Sequence, residues 1–296
     1  MFLKDKKVSE KISIFILVFF FALFLFTLSN KKYYHTHDAY VRPEPRVFVP
    51  EEVSVKEEMV QQLAKVENVT ATTTVRVPIF VYHSVRPHIV DESALQDAYD
   101  ITPELFEQQL LYLKNNNYEV ITMDKLYEIM QDSKKNNSTK KRVVLTFDDG
   151  WENQYKYAFP LLKKYGVPAM FYVYTRPLGY KHFLTWNQLH EMKDAGMEIG
   201  SHTLTHPFFK KSDEKSLRFE ITESKKVLEK KLGIPINHFA APFGYSNEHI
   251  ESIVKEAGYK TGRTIYRGPH QSNPYSLRGD LLTDSMKDFI NALEQK

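Results

Sequence analysis

The chain contains no cysteine in its 296 residues. Disulfide bridges and cysteine-ligated zinc are therefore excluded, and the absence fits an exported protein. An excess of one charge is lacking too: 40 Lys and Arg stand against 37 Asp and Glu, a net charge of +3. With no basic stripe interleaved with aromatics, nucleic acid is not expected as a partner. No internal repeat is present, and low complexity is confined to the run Lys134-Lys135-Asn136-Asn137-Ser138-Thr139-Lys140-Lys141. A composition of 42% hydrophobic and 26% charged residues suits one globular domain plus extra segments.

Long apolar runs are also missing, with one exception. Ile12 to Leu28 is interrupted only by Ser13 and Thr27, and Lys4, Lys6, Lys7 and Lys11 precede it. At 1.5 Å per residue the run covers roughly 26 Å, near the short limit for crossing a bilayer. The lysines favour a cytoplasmic N-terminus. Ser29-Asn30-Lys31-Lys32 offers no small-x-small cleavage site, so an uncleaved anchor is expected. The expected layout is a cytoplasmic tail over 1–11, a transmembrane signal anchor over 12–29, a linker over 30–75 and a catalytic domain over 76–296. The linker holds Pro43, Pro45 and Pro50 and one short helical candidate, Glu51 to Val66. The protein is thus expected to be single-pass in the cell membrane, with its catalytic domain extracytoplasmic. Nothing in the sequence sets its oligomeric state.

From Val77 onward, short apolar runs alternate with helical patterns. Strands are expected at Pro78–Tyr82, Glu119–Thr122, Val143–Thr146, Ala169–Val173, Glu198–Gly200, Phe239–Ala241 and Tyr259–Thr264. Helices are expected at Asn153–Tyr165, Trp186–Ala195, Leu217–Leu232 and Asn247–Ala257, each followed by a glycine stop. A further helix opens at Thr102-Pro103 with a cap and proline at its first position. This alternation implies an α/β fold with a parallel sheet covered by helices, and about seven units suggest a barrel. Chemistry in such barrels sits at the C-terminal ends of the strands.

The polar motifs fall on those ends. Val143-Val144-Leu145-Thr146 leads into Phe147-Asp148-Asp149-Gly150, and Met197-Glu198-Ile199-Gly200 leads into Ser201-His202-Thr203-Leu204-Thr205-His206. One carboxylate and two imidazoles suit a divalent metal such as Zn²⁺ with positions left open. Neighbouring strand side chains point to opposite sides, so Asp148 and Asp149 have different roles. One can ligate a metal while the other acts as a base toward water, a combination that points to metal-assisted hydrolysis. Phe239-Ala240-Ala241-Pro242-Phe243-Gly244 ends a strand and turns sharply, offering backbone N–H groups to an oxyanion. Tyr82-His83-Ser84 places His83 at the end of the first strand.

Residues Val77 to Leu293 resemble the polysaccharide deacetylases of the NodB-homology type, carbohydrate esterase family 4, and within it the poly-N-acetylglucosamine deacetylase branch. The resemblance rests on Pro78-Ile79-Phe80-Val81-Tyr82-His83, Ile101 to Leu110, Thr146-Phe147-Asp148-Asp149-Gly150, Leu184-Thr185-Trp186, Gly200 to His206 and Ala241-Pro242-Phe243-Gly244. It implies a distorted (β/α)₇ barrel that removes N-acetyl groups from a cell-surface glycan built on N-acetylglucosamine, with release of acetate. By the same resemblance Asp149, His202 and His206 bind the metal, which is Zn²⁺ or else Co²⁺, Ni²⁺ or Mn²⁺. Asp148 is the general base, the Phe243 N–H helps form the oxyanion hole and His83 is the general acid. The chain departs from other branches in lacking a C-terminal Leu-x-His, the nearest run being Leu281-Leu282-Thr283-Asp284. Ala240 stands where many members carry an arginine that orients the base. Trp151, Tyr174 and Trp186 are candidate sugar-stacking residues, because aromatic faces suit the apolar faces of pyranose rings. Competing readings are an O-acetyl esterase with the same metal site, an inactive glycan-binding module, and a metal-free glycosidase that would explain neither histidine.

Overall fold

Strand-forming runs rich in Val, Phe, Tyr and Ile are buried on both faces here, as a parallel sheet covered by helices requires. In the computed structural model, residues 74–89, 99–132 and 139–295 are described. The strands in chain order are β1 Val75–Arg76, β2 Ile79–Tyr82, β3 Ser84–Val85, β4 Asp100–Ile101, β5 Tyr118–Val120, β6 Lys141–Phe147, β7 Met170–Val173, β8 Glu198–Ser201, β9 His238–Ala240, β10 Thr261–Arg263, β11 His270–Gln271 and β12 Asp280–Leu281. The helices are α1 Pro103–Asn115, α2 Met123–Gln131, α3 Phe159–Tyr165, α4 Trp186–Asp194, α5 Glu214–Leu232, α6 Glu248–Glu256 and α7 Met286–Glu294.

The main sheet runs β10-β9-β8-β7-β6-β2-β12, with β5 paired to β6 off this path. Every pairing in it is parallel. The sheet curls back on itself through the segment after β11. Leu277 donates its N–H to Gly262 O and accepts from Thr264 N, both at 2.8 Å. A few residues on, β12 pairs with β2 in the register Asp280↔Phe80. The curl fits the distorted barrel expected from the sequence.

Alternate strand residues face two apolar cores. Phe80, Tyr82, Leu145, Phe147, Phe171 and Phe239 pack outward beneath the helices. The Phe147 ring stacks between Tyr82 at 5.1 Å and Phe171 at 4.7 Å. Ile79, Val144, Met170, Tyr172 and Ala240 pack inward with Met123, Leu126, Ile129 and Met130 of α2. Helix α2 was not expected from the sequence, although its caps are clear: Thr122 accepts from Lys125 N, and the buried residues recur at helical spacing.

Other expectations shift in detail. The helix expected over Asn153–Tyr165 begins as a π turn, Gln154–Ala158, before becoming α3. It stops at Gly166, whose φ of 66° makes the left-handed cap. Val75 already lies in β1, paired with Gln271, so the folded domain begins before residue 76. Helix α7 and strands β11 and β12 extend the fold beyond the last strand read from the sequence. The signal anchor over 12–29, the linker up to residue 73, the helical candidate Glu51 to Val66 and most of the run 134–141 lie outside the described residues. Among the described residues no helix is long and apolar enough to cross a membrane.

Candidate active site

His83, Asp148, Asp149, His202, His206 and Phe243 lie at the C-terminal ends of β2, β6, β8 and β9. Asp148 follows β6 directly, and its N–H still donates to Tyr82 O at 2.9 Å, continuing the ladder. Its side chain shares the inward face of Val144 and Thr146 and is buried. Asp149 then turns into the left-handed region at φ 73°, followed by Gly150 at φ 72°. A Cβ on Gly150 would lie 2.9 Å from Val173 Cγ1, so only glycine fits there without a shift. His202 is anchored in the same way, its N–H donating to Val173 O at 2.9 Å.

Asp149, His202 and His206 converge, one ligand-type atom from each lying within 4.8 Å of the others. His202 Nε2 is 3.6 Å and His206 Nε2 3.4 Å from Asp149 Oδ1. His202 Nδ1 lies 2.8 Å from Ala240 O, which fixes its proton there and leaves Nε2 as a lone-pair donor. Burial pushes the His202 imidazole down to about 4, so it is neutral near pH 7, the state a metal needs. Asp149 Oδ2 accepts from Trp151 Nε1 at 3.2 Å. Asp149 Oδ1 is buried with no hydrogen-bond partner and faces the two Nε2 atoms. An orphaned buried carboxylate oxygen opposite two lone pairs is what a divalent cation would satisfy, so the residues fit one.

Asp148 has a partner that sequence reading missed. Arg263, the last residue of β10, is fully buried, and its Nη2 donates to both Asp148 oxygens. Its guanidinium also lies 5.2 Å over the Tyr172 ring. The position expected to carry an orienting arginine holds Ala240, and the neighbouring strand supplies the cation instead, since Arg263 pairs with Ala240 in register. Burial alone would raise the Asp148 carboxyl, but the Arg263 charge leads the opposing effects and holds it below its ordinary value. One signal could have found this pair: a lone arginine inside an otherwise uncharged, buried strand.

His83 ends β2 on the same face. Its Nδ1 is buried without a hydrogen-bond partner, and its ring lies 5.3 Å from Tyr99. Gln154, buried in the π turn, donates through Nε2 to His83 O at 2.6 Å and Asp148 O at 2.5 Å. One side-chain amide thus ties together the two strand ends that carry His83 and Asp148. π turns of this kind recur at functional sites.

Phe243 has φ 56° in the turn Pro242–Gly244, its ring is exposed, and it lies 4.7 Å from the His206 ring. A Cβ on Gly244 would lie 2.1 Å from Ile265 Cγ1, so the turn packs closely against the segment that follows β10. A cleft of about 710 Å³ opens beside the cluster, lined by His83, Tyr99, Asp149, Trp151, Lys156 and His182 among others.

The three aromatic candidates have different settings. Trp151 lines the cleft, but Phe183 stacks on its ring at 4.5 Å and its N–H is committed to Asp149. Tyr174 packs edge-on against Phe183 at 5.6 Å and lies 5.2 Å from His206. Burial, aided by the Asp149 charge, pushes its hydroxyl up to about 12. Trp186 opens α4, packs against the core with Lys231 Nζ 5.7 Å from its ring, and does not line the cleft. Its capping Thr185 and core packing account for its place in the fold.

A curled parallel barrel with carboxylates and imidazoles gathered at the C-terminal ends of its strands has them where barrels of this kind carry their chemistry. The polysaccharide deacetylase family model matches residues 135–262. The Streptococcus pyogenes deacetylase PplD, solved in complex with acetate, is 30% identical with a TM-score of 0.69, over 75% of this chain and 100% of that one. The poly-beta-1,6-N-acetyl-D-glucosamine N-deacetylase of Staphylococcus aureus (strain MSSA476) is 29% identical over 208 residues, 65% of this chain and 71% of its own length. BC0361, a polysaccharide deacetylase from Bacillus cereus, shares the fold with a TM-score of 0.65 at 24% identity, over 75% of this chain and 70% of that one. Matches to curated relatives span 66% to 71% of the relatives' lengths. The chain belongs to the polysaccharide deacetylase family, hydrolases that act on amide carbon–nitrogen bonds.

Proposed function

We propose that the protein is a metal-dependent N-deacetylase acting on a cell-surface polysaccharide that contains N-acetylglucosamine. The observation that carries this reading is the convergence of Asp149 Oδ1, His202 Nε2 and His206 Nε2 close to the buried Asp148–Arg263 pair, with Asp149 lining the cleft. The substrate class of the Staphylococcus aureus relative, a poly-beta-1,6-N-acetyl-D-glucosamine, supports it.

Asp149, His202 and His206 would hold a divalent cation, Zn²⁺ first among the candidates. When bound, such an ion polarises the acetyl carbonyl and acidifies a water. Asp148 accepts a proton from the attacking water as the water oxygen bonds to the carbonyl carbon. Arg263 keeps Asp148 ionised and aimed while water is excluded from its back. The Phe243 N–H stabilises the charge that develops on the carbonyl oxygen. His83 gives a proton to the nitrogen as the carbon–nitrogen bond breaks, leaving acetate and a free amine. Trp151 orients Asp149, and Tyr174 and the cleft wall around His83 shape the sugar site. The segment Ile12 to Leu28 anchors the chain in the cell membrane, with the catalytic domain on the outer side.

The test is acetate release by the full-length protein in detergent from N-acetylglucosamine oligomers, with free amines measured in parallel. Acetate and amine should appear in equal amounts, and chelation should stop both. Acetate from an O-acetylated glycan, with none from these oligomers, would assign an O-acetyl esterase. No acetate from metal-supplemented enzyme across β-1,6- and β-1,4-linked oligomers would overturn the reading.

A further inference from the structure

Helix α5 reaches into the segment that carries the two histidines. Its buried face presents Glu220 and Ser224, one turn apart. Ser224 Oγ lies 2.7 Å from Oγ of Ser201, the last residue of β8. The Glu220 carboxylate takes three hydrogen bonds from the segment itself. Oε2 accepts from Leu204 N and Thr205 N, both at 2.9 Å, and Oε1 accepts from the Thr205 hydroxyl at 2.7 Å. These donors sit between His202 and His206 in the chain.

The same segment is strained. Thr203 has φ 74° and His206 φ 59°, both in the left-handed region that non-glycine residues avoid, and Thr203 is β-branched. On the other side, the carbonyls of Thr203 and Leu204 accept from Thr175 N at 3.1 Å and Arg176 N at 2.9 Å. Within the turn, His206 N donates to Thr203 Oγ1 at 3.0 Å. The N–H groups of Leu204 and Thr205 are left to Glu220. Hydrogen bonds to an ionised carboxylate are among the strongest available, and this one is shielded from water. Such partners of ligand-bearing segments hold ligand geometry in metal sites.

We propose that Glu220 is a positioning residue for the metal site. It holds residues 203–206 in their strained path, which turns His206 Nε2 back toward Asp149 Oδ1. The proposal rests on the metal-dependent reading above and assigns a role to a residue that touches neither metal nor substrate.

The test compares Zn²⁺ affinity, by chelator competition, and the Co²⁺ absorption spectrum for the full-length wild type, Glu220→Ala and Glu220→Gln. Glu220→Ala should bind Zn²⁺ about 10–100-fold more weakly and give an altered Co²⁺ spectrum. Glu220→Gln keeps an oxygen for the two backbone N–H groups and should stay within a few-fold of wild type with an unchanged spectrum. That rescue shows that the acceptor oxygen, not the charge, holds the segment, since both variants lose the charge. Should Glu220→Ala fail to fold, Thr205→Val replaces it: losing one of three hydrogen bonds should weaken Zn²⁺ binding measurably. Wild-type affinity and spectrum in Glu220→Ala, or in Thr205→Val where that variant stands in, would overturn the proposal. A wild type that binds neither ion would instead overturn the metal-dependent reading on which it rests.

Discussion

The two ends of the barrel carry nearly the same residue types in opposite conditions. At the C-terminal ends of the strands stand Asp148, Asp149, His202 and His206. At the N-terminal ends stand Asp124, Glu198 and His238, which also bring ligand-type atoms within 4.8 Å of one another. Composition does not separate the two clusters; satisfaction does. At the lower end Glu198 accepts the N–H groups of Met123 and Asp124 at the start of α2, at 2.6 and 3.0 Å. His238 has Thr261 Oγ1 at 2.9 Å from one nitrogen and Asp124 Oδ1 at 3.2 Å from the other. Lys260 Nζ stands 2.8 Å from the same Asp124 oxygen. A lysine already occupies the place of a cation, and every group has a partner. At the upper end Asp149 Oδ1 has no hydrogen bond, and Asp149, Thr203, His206 and Phe243 are all held at positive φ. Unmet polar atoms and stored strain mark the end built to bind, and closed hydrogen bonds mark the end built to hold the barrel together.

The largest effect is expected at Asp148. Asp148→Asn should retain the metal, because its atoms lie outside the convergent cluster, yet lose about 10²–10⁴-fold in kcat. Metal loss in this variant, with retention in Asp149→Asn, would exchange the two roles. His83→Ala should lower kcat by about 10²-fold or more with metal retained and flatten the alkaline limb of the pH–rate profile. An unchanged limb would move the acid elsewhere. His238 would be a poor substitute, since both its ring nitrogens are engaged at the opposite end of the barrel.

Arg263→Met sharpens the electrostatics. In the native protein the guanidinium outweighs burial and keeps the Asp148 carboxyl low, so the base stays ionised well into acid. Without that charge the largest opposing effect is gone, burial dominates and the carboxyl rises. The acid limb of kcat/KM should then move up by about 1–3 pH units. Stability should also fall, by about 3–5 kcal/mol, because a buried charge loses its partner. An acid limb that does not move would show that Arg263 does not tune the base.

The smallest effect belongs to the lower cluster. The hydrogen bond from His238, with help from Lys260, holds the Asp124 carboxyl below its ordinary range. Its stabilising contribution is therefore complete above about pH 4 and is lost as the pH falls below that value. Asp124→Asn should lower Tm by about 1–3 °C at pH 7, as expected for a half-exposed ion pair. The difference should shrink on acidification, and kcat should not change. Loss of activity at pH 7 with an unchanged Tm would place the lower cluster in the chemistry.

The sequence made the upper end legible because strand and motif are contiguous there. Val143 to Phe147 delivers Asp148 and Asp149, and β8 delivers His202, so an apolar run followed by a polar motif was enough. The Asp148–Arg263 pair was not legible, because its partners are 115 residues apart and meet only through strand order. Attention to position 240 missed that the adjacent strand could supply the same charge. Helix α2 was hidden because its short amphipathic pattern runs directly into the expected strand at Glu119 to Thr122. Trp186 drew notice as an aromatic in a motif, but its place at the first position of α4 is explained by packing. Aromatic type alone cannot distinguish a ring that stacks on a sugar from one that seals a helix against the core.

On the metal-dependent reading, only the upper cluster binds the ion that activity needs. The most direct measurement is the metal content of purified wild type, Asp149→Ala and Asp124→Ala, each dialysed against the same trace of Zn²⁺. One equivalent is expected in the wild type and in Asp124→Ala, and none in Asp149→Ala. Full occupancy in Asp149→Ala, or loss of the ion in Asp124→Ala, would contradict it.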